Sequence, residues 1–338
     1  MSIIFLFILT FFSALMLTGL LRRYALVRSI IDIPNARSSH SVPTPRGGGV
    51  AIVIAFIMGL LACMVMGIGQ WQALVGVAGA GLLIAVIGFM DDHGHIAARW
   101  RLLGHFIAAF WLLYWIGGFP PLDVFGFGID SVYLLVTFAT LYMVWLLNLY
   151  NFMDGIDGLA SIEAITTTVG IAIIYWLSGF NSLIIFPLLL AFAVVGFLYW
   201  NFPPAKIFMG DAGSGFLGIT LGALSVQGAW ASPKIFWCWV ILLGVFIVDA
   251  TVTLVRRLAR GERVYEAHRS HAYQFAARLF KRHLPVTLGV LFINVLWLLP
   301  IAVGVALEWL PGLSGVLIAY APLVVLAVKY RAGQVEAD

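Results

Sequence analysis

An adjacent pair of carboxylates follows one of the long apolar runs in this sequence. Asp91 and Asp92 come directly after the run, and Arg99 and Arg101 follow within ten residues. Neighbouring carboxylates repel each other and gain little from packing, so the pair favours a role in holding a cation or moving a proton. Arginine suits phosphate because its guanidinium donates two parallel hydrogen bonds. This segment therefore predicts a base or metal ligand close to a phosphate.

A second segment repeats oxygen-bearing side chains every three residues and contains no basic residue. Its members are Asn148, Asn151, Asp154 and Asp157. Carboxylate and amide oxygens are the ligands of a hard cation such as Mg²⁺, which also keeps water and takes oxygens from substrate phosphates. Close helix packing would explain Gly155 and Gly158 but not the two aspartates. The segment therefore predicts a cation site.

Two glycine-containing segments supply further candidates. Asp211 follows Gly210 at the start of an apolar run, where its carboxylate and the nearby backbone N–H groups could face a metal-bound phosphate. A helix cap alone would also explain this aspartate. Arg46 precedes three glycines in a proline-rich segment. That segment is either an ordered basic lip facing a phosphate or a solvated loop whose arginines set topology.

The longest polar segment is basic and contains two histidines three residues apart. Around His268, Arg269 and His271 there is no cysteine or acidic residue at the spacing of a zinc site, so phosphate contact is favoured over zinc. Attraction to anionic lipid would explain the charge but not the histidine pattern. Asp249 lies seven residues before Arg256 and is either a site residue or a local partner of that arginine.

The elements that must position these side chains are membrane helices. The chain is 62% hydrophobic and 10% charged, against about 25% charged residues in a soluble domain. Eleven apolar runs are long enough to cross a bilayer. They lie at about 3–21, 48–67, 73–90, 102–118, 131–150, 159–177, 182–200, 214–230, 233–255, 285–307 and 313–329. The sequence thus predicts one all-α polytopic membrane domain over residues 1–338.

The basic residues orient this domain. With the amino terminus outside and the carboxyl terminus in the cytoplasm, 18 of the 19 Lys and Arg residues fall on the cytoplasmic side. The polar motifs then lie in cytoplasmic loops at about 22–47, 91–101, 150–158, 201–213 and 256–284. Because the bases are spread over several loops, a nucleic-acid partner is not expected. Arg22 and Arg23 follow the first apolar run, the reverse of a signal peptide's charge order, so a retained span is expected.

This distribution favours chemistry at the cytoplasmic interface, where a soluble phosphorylated donor can meet a lipid acceptor. Phosphoryl transfer between two anions requires positioning and charge neutralisation by Mg²⁺ and arginine. A transporter or ion channel is the alternative. It would need polar residues near the bilayer midplane and broken helices, and neither is expected from this sequence. A non-catalytic scaffold would have no use for the Asp and Asn clusters.

Taken in order along the chain, the motifs resemble those of the polyprenyl-phosphate N-acetylhexosamine-1-phosphate transferases, glycosyltransferase family 4. The resemblance extends over almost the whole chain, from Asp32–Gly49 to His268–Gln274. It implies that a phosphate oxygen of undecaprenyl phosphate attacks the β-phosphorus of a UDP-N-acetylamino sugar. UMP leaves, and a lipid-linked diphosphate sugar remains. The sequence does not decide between direct attack and a covalent aspartyl intermediate, and we favour direct attack.

The resemblance also implies roles for the acidic residues. Asp211 and Asn151 would hold Mg²⁺, for which Mn²⁺ can substitute, on the donor diphosphate. Asp91 would be the base for the acceptor phosphate with support from Asp92, and Asp154 would lie near the metal.

Further implied contacts concern the substrates. Asp157 and Asn201 match positions that contact uridine, and His268–His271 match a motif that contacts donor phosphate and sugar. No lysine follows the acidic pair, so its phosphate contact would pass to Arg99 or Arg101. The triple histidine of the peptidoglycan enzyme is absent, which favours the O-antigen-initiating branch. The donor sugar would be N-acetylglucosamine, N-acetylfucosamine or N-acetylquinovosamine, in a bacterial inner-membrane enzyme whose family includes homodimers.

Overall fold

A computed structural model describes residues 2–34, 40, 42–94, 96–124, 126–262 and 268–334. Arg37, His95 and Arg263, which enter the sequence motifs or the charge count, lie outside the described residues. The helices are α1 (Ile3–Val27), α2 (Val50–Val65), α3 (Trp71–Gly94), α4 (Ala98–Ile116), α5 (Val132–Met153), α6 (Leu159–Leu177), α7 (Ile185–Asn201), α8 (Asp211–Ala231), α9 (Pro233–Leu242), α10 (Gly244–Ala259), α11 (Ala272–Phe280), α12 (Leu284–Ile293), α13 (Leu299–Ala306) and α14 (Gly312–Lys329). Two antiparallel hairpins pair β1 (Ile31–Asp32) with β2 (Thr44–Pro45) and β3 (Leu122–Val124) with β4 (Phe127–Ile129).

A helix or a consecutive pair of helices occupies each of the eleven predicted spans. Among the described residues, seven spans are long and apolar enough to cross a membrane, and α9 with α10 would make an eighth. The prediction of a helical, polytopic membrane protein is therefore confirmed. The count of eleven spans and the orientation of the termini stay predictions.

The central element is α8, which is buried over almost its whole length. Its amino terminus touches α3 so closely that a Cβ on Gly88 would lie 2.5 Å from the Ala212 backbone nitrogen. Further along, Gly218 approaches the backbone of α5 at Leu147. These close contacts bring the ends of α3, α5 and α8 together, and those ends carry the acidic motifs.

The helices α3 and α5 extend past the carboxyl ends of their predicted spans. The acidic pair stands on the last turn of α3, which runs to Gly94, and Asn151 stands on the last turn of α5. A carboxylate at a helix carboxyl end opposes the helix dipole. Arginine neighbours offset that cost here, because Arg46 pairs with Asp92 and Arg101 with Asp91.

The expectation that no span is broken is wrong. The predicted span 233–255 is divided at Leu243 into α9 and α10, which meet at 71°. A break in a membrane leaves backbone carbonyls that need other donors. The Thr167 hydroxyl donates to Leu242 O at 3.2 Å, and the Tyr320 hydroxyl donates to Val240 O at 2.7 Å. Packing of α6 and α14 therefore stabilises the bend, which lies next to Gly244.

Candidate active site

Two polar segments far apart in the sequence are joined by backbone hydrogen bonds. Gly48 N–H donates to Phe208 O at 2.9 Å, Gly49 N–H donates to Met209 O at 2.9 Å, and Phe208 N–H donates to Pro45 O at 2.8 Å. This ladder places Arg46 opposite the start of α8. Of the two readings of the proline-rich segment, the structure therefore favours an ordered lip on the site.

Asp92 holds the amino terminus of α8. Its Oδ1 accepts from Asp211 N–H at 3.1 Å and its Oδ2 from Ala212 N–H at 3.3 Å. The side chain is 3% exposed and also pairs with Arg46 Nη2 at 2.7 Å. A carboxylate on the free N–H groups of a helix stabilises both the helix and its own ionised form. This geometry assigns Asp92 to positioning α8 rather than to open contact with a ligand.

Replacing Asp92 with alanine is expected to destabilise the protein by about 1–2 kcal/mol, the usual cost of losing a helix cap. The midpoint of thermal unfolding in detergent should fall by a few degrees. Asp92→Asn should cost less, because its amide oxygen can still accept one of the two N–H bonds. An unchanged midpoint in Asp92→Ala would contradict the capping role.

Asp91 is bound to the segment that follows it. Its Oδ1 accepts from Ile96 N–H at 2.7 Å, and its Oδ2 pairs with Arg101. Arg101 Nη1 also lies 3.9 Å from Asp211 Oδ2. The guanidinium of Arg99 instead lies 5.6 Å from the ring centre of Trp100 on the exposed side. Of the two arginines predicted to bind phosphate, the structure brings Arg101 to the acidic cluster and leaves Arg99 outside it.

Asp211 is the first residue of α8 and the more open end of the cluster. Its side chain is 24% exposed, and its Oδ1 accepts from Arg46 Nη2 at 2.6 Å. Burial by itself would lower the pKa of Arg46, but the Asp211 and Asp92 carboxylates outweigh it and raise the pKa. Arg46 thus stays charged and bridges two carboxylates.

Asn151 and Asp154 approach the same place from the end of α5. Asn151 Nδ2 donates to Ser214 Oγ at 3.1 Å, which turns the amide toward α8. Within the described part of the chain, Asn151 Oδ1 and the Asp154 carboxylate take part in no hydrogen bond or ion pair. Desolvation, followed by the nearby Asp211 and Asp92 carboxylates, raises the pKa of Asp154 well above its usual value. An unpaired carboxyl among like charges is suited to binding a cation.

The charges of this cluster match a divalent cation. When all four carboxylates are ionised, as they are with a cation bound, four carboxylates and two guanidinium groups have a formal surplus of two negative charges. The members are Asp91, Asp92, Asp154, Asp211, Arg46 and Arg101. No group of three His, Cys, Asp or Glu side chains among the described residues forms a ready metal site. Mg²⁺ normally takes only one or two protein carboxylates together with water and substrate phosphate. The donors present therefore fit Mg²⁺ better than a metal held entirely by protein.

The histidine motif forms a second polar centre. Asp249 accepts from Ala272 N–H at 2.9 Å and Tyr273 N–H at 3.0 Å, and it lies 3.3 Å from His271 Nδ1. Arg256 instead donates to Ala332 O at 3.0 Å. The sequence allowed two interpretations of Asp249, a site residue or a local partner of Arg256. The structure supports the first, because the carboxylate caps α11 beside His271 and Arg256 binds elsewhere.

The two histidines are stacked, with ring centres 5.0 Å apart. Desolvation and then the neighbouring His271 lower the pKa of His268 to about 3, so this ring is neutral near pH 7. Its Nδ1 accepts from Ser270 N–H at 3.3 Å, which leaves Nε2 as the donor. His271 Nε2 is buried without a hydrogen-bond partner among the described residues. Arg269 lies half-buried between the two histidines in sequence.

Tyr273 connects the histidine motif to the acidic cluster. Its hydroxyl donates to Phe152 O at 3.0 Å, two residues before Asp154. The same hydroxyl fills the space beside Gly155, where a side chain would collide with it. The two centres therefore share one face of the protein, as the sequence predicts.

Two predicted binding residues use their side-chain amides in hydrogen bonds to other parts of the protein. Asn201 Oδ1 accepts from Gly158 N–H at 3.0 Å, and its Nδ2 donates to Ile207 O at 3.0 Å. Asn148 Nδ2 donates to Val144 O at 2.7 Å and lies 3.3 Å from His105 Nδ1. Asn201 is 4% exposed, so it orders the loop around Gly158 from within. Contact of either side chain with a ligand stays a prediction.

A polar cavity of about 520 Å³ opens beside Asp157. Its other walls include Phe208, Lys281, Arg282 and His283. None of these four residues was a candidate from the sequence. His283 lies 3.1 Å from Asp157 Oδ1 although 126 residues separate them. No local pattern could reveal that pair, because only the packing of α12 on α6 creates it.

An apolar groove of about 480 Å³ follows α5 through the membrane. It runs from Leu134 near the β3–β4 hairpin to Leu149, two residues before Asn151. Fifteen residues of helix cover roughly 22 Å at 1.5 Å per residue, most of the thickness of a hydrocarbon core. The opposite wall comes from α9, α10 and α14 around the bend at Leu243. The groove thus offers an apolar chain a path along α5 that reaches the helical turn before Asn151.

Comparison with known proteins agrees with this arrangement. The family model described as glycosyl transferase family 4 matches residues 74–229. A probable undecaprenyl-phosphate N-acetylglucosaminyl 1-phosphate transferase of Bacillus subtilis is 29% identical over 274 residues, 79% of this chain and 75% of the relative. A phospho-N-acetylmuramoyl-pentapeptide-transferase of Hydrogenobaculum is 30% identical, covering 70% of this chain and 72% of the relative. A decaprenyl-phosphate N-acetylglucosaminephosphotransferase of Mycolicibacterium smegmatis is 29% identical, covering 95% and 85%.

Proposed function

The chain belongs to glycosyl transferase family 4, and from that membership we propose that it transfers an N-acetylamino-sugar 1-phosphate from a UDP-sugar to undecaprenyl phosphate. UMP is the leaving group, and the product begins a lipid-linked glycan of the O-antigen type. The family's activity, transfer of a phosphosugar to a polyprenyl phosphate in a membrane, supports the reaction class. The choice of sugar, the UDP donor and the O-antigen product are finer proposals than this reaction class.

The acidic cluster at the ends of α3, α5 and α8 carries the proposal. Its surplus of two negative charges and its unpaired Asp154 suit a divalent cation, and its two arginines suit phosphate. Phosphoryl transfer needs positioning and charge neutralisation more than covalent participation by the protein. A non-catalytic scaffold has no need of such a cluster.

In this mechanism Asp211, Asp154 and the amide oxygen of Asn151 would hold Mg²⁺, or Mn²⁺ in its place. The metal supplies charge neutralisation to the donor diphosphate. Asp91 takes the proton of the acceptor phosphate, and Arg101 beside it steadies the attacking anion. A bond then forms from an acceptor oxygen to the β-phosphorus of the donor as the bond from that phosphorus to the UMP oxygen breaks.

The cavities give each substrate a place. The polar cavity beside Asp157 has the size and the basic rim to take the nucleotide, with Lys281 and Arg282 near its phosphates. The neutral His268 would donate a hydrogen bond from Nε2 to the donor sugar or phosphate beside Arg269, and the buried His271 would contact the same group. The apolar groove along α5 suits the polyprenyl chain, whose phosphate would then lie near Asn151. The enzyme would act at the cytoplasmic face of a bacterial inner membrane, as a monomer or a homodimer.

The experiment that tests this function follows UMP release and lipid-linked product from purified protein with undecaprenyl phosphate and Mg²⁺. The UDP-sugars supplied one at a time are N-acetylglucosamine, N-acetylfucosamine, N-acetylquinovosamine and muramoyl-pentapeptide. We expect UMP release that needs the acceptor and one of the first three donors. Folded protein that releases no UMP with any donor would instead support a polyisoprenoid or nucleotide-sugar transporter, to be measured by flux in liposomes.

A further inference from the structure

The first residues of α6 and the loop before it are fastened to α12 by a row of polar contacts. His283, Thr287 and Asn294 recur at intervals of four and seven residues, which places them on one face of a continuous helical path. All three contact the stretch from Asp157 to Thr166.

The contacts of the row at the start of α12 hold Asp157 in place. His283 Nδ1 lies 3.1 Å from Asp157 Oδ1 and accepts from Asp157 N–H at 3.4 Å, and the Thr287 hydroxyl donates to Asp157 O at 2.8 Å. The other carboxylate oxygen accepts from Ala205 N–H at 3.0 Å. Asp157 is therefore held through its backbone N–H, its backbone C=O and Oδ2, with Oδ1 beside the imidazole of His283. It forms part of the wall of the polar cavity in one defined orientation.

The contacts of the row at the end of α12 anchor this helix inside the membrane. Asn294 Nδ2 donates to Glu163 Oε2 at 2.7 Å and to Thr166 Oγ1 at 2.7 Å. Glu163 is fully buried, and both Glu163 Oε1 and Asn294 Oδ1 have no hydrogen-bond partner among the described residues. Separating the helices would leave more polar atoms unpaired in an apolar medium, which is costly. This pair therefore keeps α12 in register with α6.

We propose that α12 positions the nucleotide-donor pocket, and that His283 is the positioning residue through which it sets the orientation of Asp157. The proposal rests on the proposed function, which places the donor nucleotide in the cavity beside Asp157. A fixed carboxylate binds a hydrogen-bond donor of the ligand more tightly than a mobile one, because it loses less conformational entropy on binding. Loss of His283 therefore weakens donor binding and leaves the acceptor lipid and the chemical step unaffected.

The test compares His283→Ala with His283→Asn in the full-length protein, using a donor UDP-sugar that the wild type turns over. The asparagine amide can occupy the place of the imidazole Nδ1 and restore contact with Asp157. We expect His283→Ala to raise the donor KM about tenfold, the upper end of the effect of one lost hydrogen bond. The acceptor KM and kcat should stay within about twofold, and His283→Asn should return the donor KM to within about threefold of the wild type.

A second variant separates the loss of a contact with Asp157 from a general loss of structure. Thr287→Val removes only the hydroxyl that donates to Asp157 O and keeps the shape of a buried side chain, so a donor-specific rise in KM of about threefold is expected. Phe292→Leu, at a residue of α12 that is 58% exposed, is the control and should match the wild type.

Three results would overturn the proposal: an unchanged donor KM in His283→Ala, an equal rise in the KM of both substrates, or no rescue by His283→Asn. Each of them leaves wild-type UMP release intact and so spares the proposed function. A wild type that releases no UMP removes the proposed function and this proposal together. The two failures are thus told apart by the wild-type measurement made alongside the variants.

Discussion

Asp211→Ala is expected to lower kcat by at least about 10²- to 10³-fold, the loss found when one preorganised charged or polar group is removed from a reacting centre. Asp211 lies between Arg46 and Arg101 at the open end of the acidic cluster. Removing its carboxylate takes away a proposed metal ligand and leaves Arg46 held by Asp92 alone. UMP release with saturating donor, acceptor and Mg²⁺ measures the effect.

The same variant is expected to stay folded in the membrane. The cap of α8 is the Asp92 carboxylate, which binds the backbone N–H of residue 211 and not its side chain. Alanine is also the most favourable residue in a helix, so the loss is confined to the ion pair with Arg46 and to the favourable charge at the helix start, the latter about 0.3–1 kcal/mol. Glu308→Gln is the matched control, because Glu308 forms an exposed ion pair with Lys234 and such pairs contribute little. Wild-type turnover by Asp211→Ala would refute the metal assignment.

Removal of divalent metal is expected to reduce UMP release to background, and Mg²⁺ added back should restore it. The acidic cluster carries two more negative charges than positive ones, and the donor diphosphate would add further negative charge at the same place. Two anions cannot approach each other there without a cation. The measurement is a titration of Mg²⁺ after EDTA treatment, with Mn²⁺ in a parallel series.

Asp154→Asn makes the metal prediction specific to this site. The substitution removes one negative charge and one strong ligand while keeping the shape of the side chain, so a tenfold or greater rise in the Mg²⁺ concentration at half-maximal rate is expected, about 1.4 kcal/mol or more. The donor and acceptor KM at saturating Mg²⁺ are the comparison values. Full turnover in metal-free buffer, or a Mg²⁺ requirement identical to that of the wild type, would show that the cluster holds no metal needed for the reaction.

The structure changes the argument against a transporter. The expectation of unbroken spans was wrong at Leu243, and Glu163 is a fully buried acid within an apolar helix. Neither feature opens a polar path between the two faces. Glu163 is paired with Asn294, and the bend borders an apolar groove. The case for a transferase now depends on family membership and the acidic cluster rather than on the absence of broken helices.

Much of the helical framework could be predicted from the sequence, because a bilayer imposes a length and a composition on each span. Every predicted span has a helix in its place. The motifs were also recognisable locally, since clusters such as Asn151 and Asp154 have no purpose in simple packing. Helix ends were less predictable. The last turns of α3 and α5 extend past the apolar runs because partners from distant segments stabilise them.

The sequence by itself determined the membrane class, the order of the polar motifs and the residue types that could bind phosphate and a cation. Only the tertiary structure decided which carboxylates cap helices, as Asp92 does, and which one, Asp154, has no partner among the described residues. It also decided that His283 meets Asp157 and that a span breaks at Leu243. The physical reason is the same in each case. Apolar length and residue chemistry are local properties, whereas hydrogen-bond partners depend on how closely distant helices pack.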